Sequence, residues 1–155
     1  MSRYAENTGV SAAASREEIE RILARYGADA FMYGWEGSRA LVQFRAKGRY
    51  IRFVLPLPSR DERRFTHHSR GARAPEQAAK EWEQATRQRW RALALVIKAK
   101  LEAVETGIAE FEDEFMANIV LPDGQTVSRF MRPQIALAYE RGEVPTMLPQ
   151  LEGPK

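Results

Sequence analysis

The fold is decided in one stretch, DAFMYGWEGSRALVQFRAKGRYIRFVLPLP, residues Asp29 to Pro58. Its apolar residues alternate in three sets. Phe31, Tyr33 and Trp35 form the first, Ala40, Val42 and Phe44 the second, and Ile51, Phe53 and Leu55 the third. Strict alternation places each set on one face of a strand. Glu36-Gly37-Ser38 and Lys47-Gly48 supply the turns between them. A two-residue loop ending in Gly suits a hairpin, because the turn needs positive φ. With Lys47-Gly48 as that loop, Ala46 faces Arg49, Phe44 faces Ile51, Val42 faces Phe53 and Ala40 faces Leu55, which makes one continuous apolar face. The other face pairs Arg45 with Tyr50, Gln43 with Arg52 and Leu41 with Val54. A slip of one residue would mix the two faces, so this register is the self-consistent one. Pro56 and Pro58 end the third strand, since proline cannot donate to a ladder.

The flanks read as helical. Ser15-Arg16-Glu17-Glu18 has the form of a capping box, in which side chains satisfy the free amides of a helix start. Ile19, Ile22, Leu23 and Tyr26 form one apolar stripe, and Gly27 is a natural terminator. This helix is expected on the apolar face of the sheet. Met1 to Ala14 are expected to be flexible.

After the strands, Ser59 to Pro75 has no period and little to bury, and it is expected to be a mobile basic loop. Pro75 suits a first helical turn, and Glu76 to Glu105 contains no Gly or Pro. That helix would span about 45 Å. Trp82, Trp90, Leu93, Ile97, Leu101 and Val104 form its stripe, and Leu95 and Val96 widen it, so burial on more than one side is expected towards its C-terminus.

A short acidic helix is expected from Ile108 to Asn118, with Ile108, Phe111, Phe115 and Met116 inward. Ile119-Val120-Leu121 reads as a short strand or an extended core segment, and Pro122-Asp123-Gly124 as a turn. Thr126 is the expected cap of a last helix running to about Arg141, broken or kinked at Pro133, with Phe130, Met131, Ile135 and Tyr139 towards the core. The expected organisation is one α+β domain over residues 15–141, with residues 142–155 as an extended tail.

Composition fits this reading. The 155 residues are 44% hydrophobic and 29% charged, as in a globular chain. With no cysteine, thiol catalysis, disulfides and cysteine-bound zinc are excluded. No apolar run approaches the roughly 20 residues of a membrane span, and the N-terminus lacks a signal-peptide core. A cytoplasmic protein without membrane contact is expected. The net charge is only +3, but it is unevenly spread. Arg39 to Lys100 holds 16 Lys/Arg against 5 Asp/Glu, a net of +11, whereas Leu101 to Glu114 holds six acids and no base. Such asymmetry points to an electrostatic partner, or to an acidic patch that answers a basic one.

The outer sheet face carries cations and an aromatic ring: Arg45, Tyr50 and Arg52, with Lys47 and Arg49 at the turn. Bases stack on rings and phosphates take cations, so such a face suits a nucleic-acid strand. Arg60, Arg63, Arg64, Arg70 and Arg73 of the loop would close over the backbone. A solvated face beside a disordered loop would carry the same residues. His67 and His68, with Glu110, Asp113 and Glu114, are residue types that suit a divalent metal, although an acidic solvated helix needs no metal to explain it. No nucleotide, zinc-protease or hydrolase motif is present. The expected protein is therefore non-catalytic, without cofactor. The alternative is a homo-oligomeric protein-interaction module or inhibitor, built on the aromatic stripe of the long helix and on exposed strand edges.

Arg89 to Val127, RWRALALVIKAKLEAVETGIAEFEDEFMANIVLPDGQTV, resembles small proteins of unassigned function carried by tailed phages and prophages. The resemblance covers about the last two-thirds of the chain. It implies a phage setting, hence host cytoplasm, and a role in DNA replication, recombination or host takeover fits that setting. It brings no functional residues. The order helix, three strands, helix is also similar to that of double-stranded-RNA-binding domains, and its strand–helix part to the core of phage single-strand annealing proteins.

Overall fold

A computed structural model of the chain describes residue 5 and residues 8–144. The chain runs as α1 (Ala12–Arg25), β1 (Ala30–Glu36), β2 (Arg39–Ala46), β3 (Arg49–Pro56), α2 (Arg63–Thr66), β4 (His67–His68), β5 (Gly71–Ala72), α3 (Pro75–Glu105), α4 (Phe111–Phe115) and α5 (Val127–Arg141). A 3-10 turn, Met116–Asn118, follows α4. This is an α+β fold with a three-stranded antiparallel meander in the order β1-β2-β3.

The register is the one the alternation requires. Phe44 faces Ile51, Val42 faces Phe53, and Arg45 faces Tyr50. Both turn residues between β2 and β3 take positive φ, Lys47 at 49° and Gly48 at 74°. That twist matches the flanking strands, so the turn locks the pairing. Ala40, Val42, Phe44, Ile51, Phe53 and Leu55 are all buried, and they join Ile19 and Leu23 of α1 with Trp90, Leu93, Ile97 and Leu101 of α3 in one core. The two long helices thus share the inner face of the sheet. Phe115 closes the core from below, edge-on to Phe44 at 6.0 Å and to Phe53 at 6.3 Å.

Several local expectations are corrected. The N-cap of α1 is Ser11, whose Oγ accepts from the Ala14 amide at 3.1 Å. Ser15 lies inside the helix, fully buried, with no hydrogen-bond partner for its Oγ among the described residues. Ala12 to Ala14 are therefore helical. Either serine can cap a helix, and burial of Ser15 against the core decides between them.

Towards the C-terminus the helices are less covered than their stripes imply. Val96 is exposed, so α3 is buried on one side only. Helix α4 starts at Phe111, which leaves Ile108 at 82% exposure, and Met116 also faces solvent. Helix α5 is capped by Thr126 as expected, with the Arg129 amide donating to its Oγ1. It runs through Pro133, yet it buries no residue: Phe130 and Ile135 are half exposed and Tyr139 is 87% exposed. Gly142 ends it in the left-handed conformation at φ 70°, where glycine avoids the Cβ penalty. The tail from residue 145 lies outside the described residues.

The edge of β3 is partly covered. The Val120 amide donates to the Tyr50 carbonyl at 2.8 Å, and Asn118 Nδ2 donates to the Arg52 carbonyl at 3.0 Å. Ile119 bridges to Ile51, so the segment after the 3-10 turn is an isolated bridge and not a full strand.

Candidate nucleic-acid interface

Among the described residues, no helix packs over the centre of the sheet face away from α1 and α3. Met32, Tyr50 and Val54 on it are exposed, and Leu41, Gln43, Arg45 and Arg52 are half-buried. The polar residues are organised by cross-strand bonds. Arg45 meets Asp29 in a bidentate pair, Nε to Oδ1 at 2.8 Å and a second nitrogen to Oδ2 at 3.0 Å. It also donates to the Tyr50 hydroxyl at 3.3 Å, and its guanidinium lies 5.5 Å from the Tyr50 ring. The bond from Arg45 holds the Asp29 carboxyl below its usual range, and Asp29 in turn raises Arg45.

Arg52 is a structural brace. Its Nε donates to Gln43 Oε1 at 3.0 Å and a terminal nitrogen donates to the Gly124 carbonyl at 2.8 Å. That second bond ties the turn before α5 to the sheet. Arg49 and Lys47 sit at the far hairpin. Arg49 is 3.9 Å from Glu112, and the Lys47 ammonium is 5.5 Å from the Phe111 ring.

Ser59 to Pro75 is not a featureless loop. It contains α2 and the β4–β5 hairpin, anchored by buried Phe65. Trp82 Nε1 donates to the Pro58 carbonyl at 2.7 Å, and the Arg60 guanidinium stacks 4.0 Å from the Trp82 ring. Arg64 donates to Glu62, and Arg73 donates to the carbonyls of Arg64 and Phe65. The Glu62 carboxyl is held low, chiefly by the Ser59 amide that donates to it. Among the described residues only Arg63 and Arg70 of the five loop arginines have side chains without a hydrogen bond, ion pair or ring contact.

The geometry does not bring the two sets together on one end of the sheet. The chain leaves β3 at Pro56, opposite the Lys47-Gly48 turn. From Tyr50 to Pro56 the strand advances about 20 Å at ~3.3 Å per residue. The loop arginines therefore flank the Pro56 end, and Arg45, Lys47, Arg49 and Tyr50 flank the other. The histidines are engaged locally: His67 Nδ1 lies 2.8 Å from the Thr66 hydroxyl, and His68 Nδ1 accepts from the Arg70 amide. Glu114 pairs with Lys100 at 3.2 Å. No cluster of three metal-ligating side chains forms among the described residues.

A groove of 460 Å3 opens at the Pro56 end of the outer face, where the sheet meets the start of α5. Arg39, Arg52 and Arg129 line it with Trp35, Glu36 and Val54. Trp35 belongs by register to the inner face, but at 74% exposure it lies beyond the cover of the helices. No local signal in the sequence marks Arg39, Arg129 or Trp35 as a site residue. Arg39 and Arg129 lie far apart in the chain, and the contacts that tie the segment before α5 to β3, the Arg52–Gly124 bond among them, bring them to one place.

In comparisons with known proteins, no family model, curated protein or solved structure matches this chain. No helix among the described residues is long and apolar enough to cross a membrane.

Proposed function

We propose that this is a non-catalytic nucleic-acid-binding accessory protein of phage type, serving DNA replication, recombination or host takeover through the open face of its sheet. The observation that supports this reading is the exposure of that face: a sheet with both helices on one side presents Tyr50, Arg45 and Arg52 on the other. Ring and guanidinium are already stacked, which suits contact with a base and its phosphate. Arg63 and Arg70 add unpaired cations at the Pro56 end. The test is fluorescence anisotropy with labelled single-stranded DNA, duplex DNA and RNA at two salt concentrations. Binding that weakens steeply with salt, and weakens further in Arg45→Glu, supports the reading. No binding at low salt refutes it.

A second reading, a homo-oligomeric interaction module, is favoured by exposed Val96 of α3, beside half-buried Leu95, and by the exposed Phe130, Ile135 and Tyr139 of α5. Trp90 is 3% exposed within a single chain, so its fluorescence is no measure of association. Light scattering of wild type and Val96→Asp tests this reading. A monomer in both disposes of it.

A further inference from the structure

We infer that the groove between the outer sheet face and the start of α5 is a site for one phosphate of a nucleic-acid strand, held between Arg39 and Arg129. This inference deepens the nucleic-acid reading and rests on it. The groove volume of 460 Å3 lies within the ~300–1,000 Å3 of small-ligand pockets. Its lining is chemically lopsided, with three guanidinium groups against one carboxylate, Glu36. Arg52 is braced by Gln43 and the Gly124 carbonyl, so its charge is fixed in place. Among the described residues the side chains of Arg39 and Arg129 make no hydrogen bond, ion pair or ring contact.

Arg129 is also placed against the grain of its helix. It sits in the first turn of α5, where the aligned peptide dipoles repel a cation. Folding alone gives no reason to bring Arg39 and Arg129 to that positive end. An anion in the groove relieves these repulsions together. A phosphate suits it, because guanidinium groups bind its oxygens in fork geometry.

The test uses the full chain and two probes: a labelled single-stranded oligonucleotide followed by anisotropy, and adenosine 5′-monophosphate followed by calorimetry. Arg39→Ala should weaken oligonucleotide binding at least about tenfold, the lower end for a hydrogen bond to a charged group. Arg129→Glu should weaken it and flatten the slope of log affinity against log salt by about 0.7 for each phosphate that is no longer neutralised. Arg39 and Arg129 are exposed and Arg45 is half-buried, and circular dichroism of each variant checks folding. If wild type binds the oligonucleotide and Arg45→Glu weakens it, while Arg39→Ala and Arg129→Glu do not, the groove inference falls and the sheet-face reading stands. If only the mononucleotide binds, and does so through Arg129, the groove stands as a free-nucleotide site and the strand-binding reading falls. If neither probe binds, both fall.

Discussion

Trp82 holds the arginine-bearing segment onto α3, and its removal should open that segment without unfolding the domain. Two interactions set the magnitude. The indole donates to the Pro58 carbonyl at 2.7 Å, and Arg60 stacks on the ring at 4.0 Å. The hydrogen bond contributes a net of about 0.5–1.5 kcal/mol. The exposed cation–π interaction contributes about 0.5–1 kcal/mol. Together they favour the closed segment by about 1–2.5 kcal/mol, which at ~1.36 kcal/mol per decade is about a 5- to 70-fold change in the open population. Trypsin reads this directly, since it cuts after arginine and five arginines lie between residues 60 and 73. Where reclosing outpaces cutting, cleavage follows the open population. Trp82→Ala should therefore speed cutting in this segment by that factor. Trp82→Phe keeps a ring under Arg60 and removes only the hydrogen bond, so it should speed cutting about 2- to 13-fold. Mass spectrometry locates the cuts, and thermal denaturation checks that the domain remains folded. Equal cutting rates in wild type and Trp82→Ala would refute the anchoring.

Phe115 is fully buried among Phe44, Phe53 and Phe111, and Phe115→Ala should cost about 3–5 kcal/mol in urea denaturation; a loss under about 1 kcal/mol would mean the aromatic cluster is not the core. Ser15→Ala removes a buried hydroxyl without a partner and places the best helix former in a helix, so stability should rise by about 1 kcal/mol. A fall would show that the hydroxyl has a partner after all. Arg129→Glu puts an anion in the first turn of α5 and should raise stability by about 0.3–1 kcal/mol even as it weakens ligand binding. A variant less stable than wild type would show that Arg129 supports the fold. The Asp29 carboxyl is lowered by its bond from Arg45, so its contribution is complete above the unfolded value of about 3.9 and is lost as pH falls through the lower folded value. Asp29→Asn should flatten that acid limb of the stability–pH curve, and superimposable limbs would refute the linkage.

Much of the fold is legible in the sequence because its signals are local. Alternation over Ala40 to Phe44 and Ile51 to Leu55, with a turn that accepts positive φ, leaves one workable register, and the structure has it. Burial is less legible, because a stripe shows that a face is apolar and not that anything covers it. Trp35 alternates in phase with Phe31 and Tyr33 yet projects past the helices. Helix α5 has a clear stripe and no buried residue. The segment after β3 fails for another reason. Helix α2 has only four residues, too few to show a period, and its anchors, Phe65 and the Trp82–Pro58 bond, are tertiary. The groove is the extreme case. Arg39 and Arg129 meet only through the fold, and neither has a motif around it.

The charge asymmetry reads differently once the pairs are known. Part of the basic run is answered inside the molecule: Arg49 and Lys100 reach the acidic segment through Glu112 and Glu114, Arg45 takes Asp29, Arg64 takes Glu62, and Arg91 takes Glu18. Several of these pairs are exposed, and such pairs contribute little to stability. They act instead as neutralisation, and they remove most of the hairpin end from the positive surplus. Arg39, Arg129, Arg63 and Arg70 are among the cations left without an ion pair among the described residues. On the proposed reading, a strand that enters at the groove would reach Arg45 and Tyr50 by running along the open strands. A single strand of a few nucleotides is long enough to make that path, so on that reading the groove and the sheet face would be two ends of one track and not rival sites.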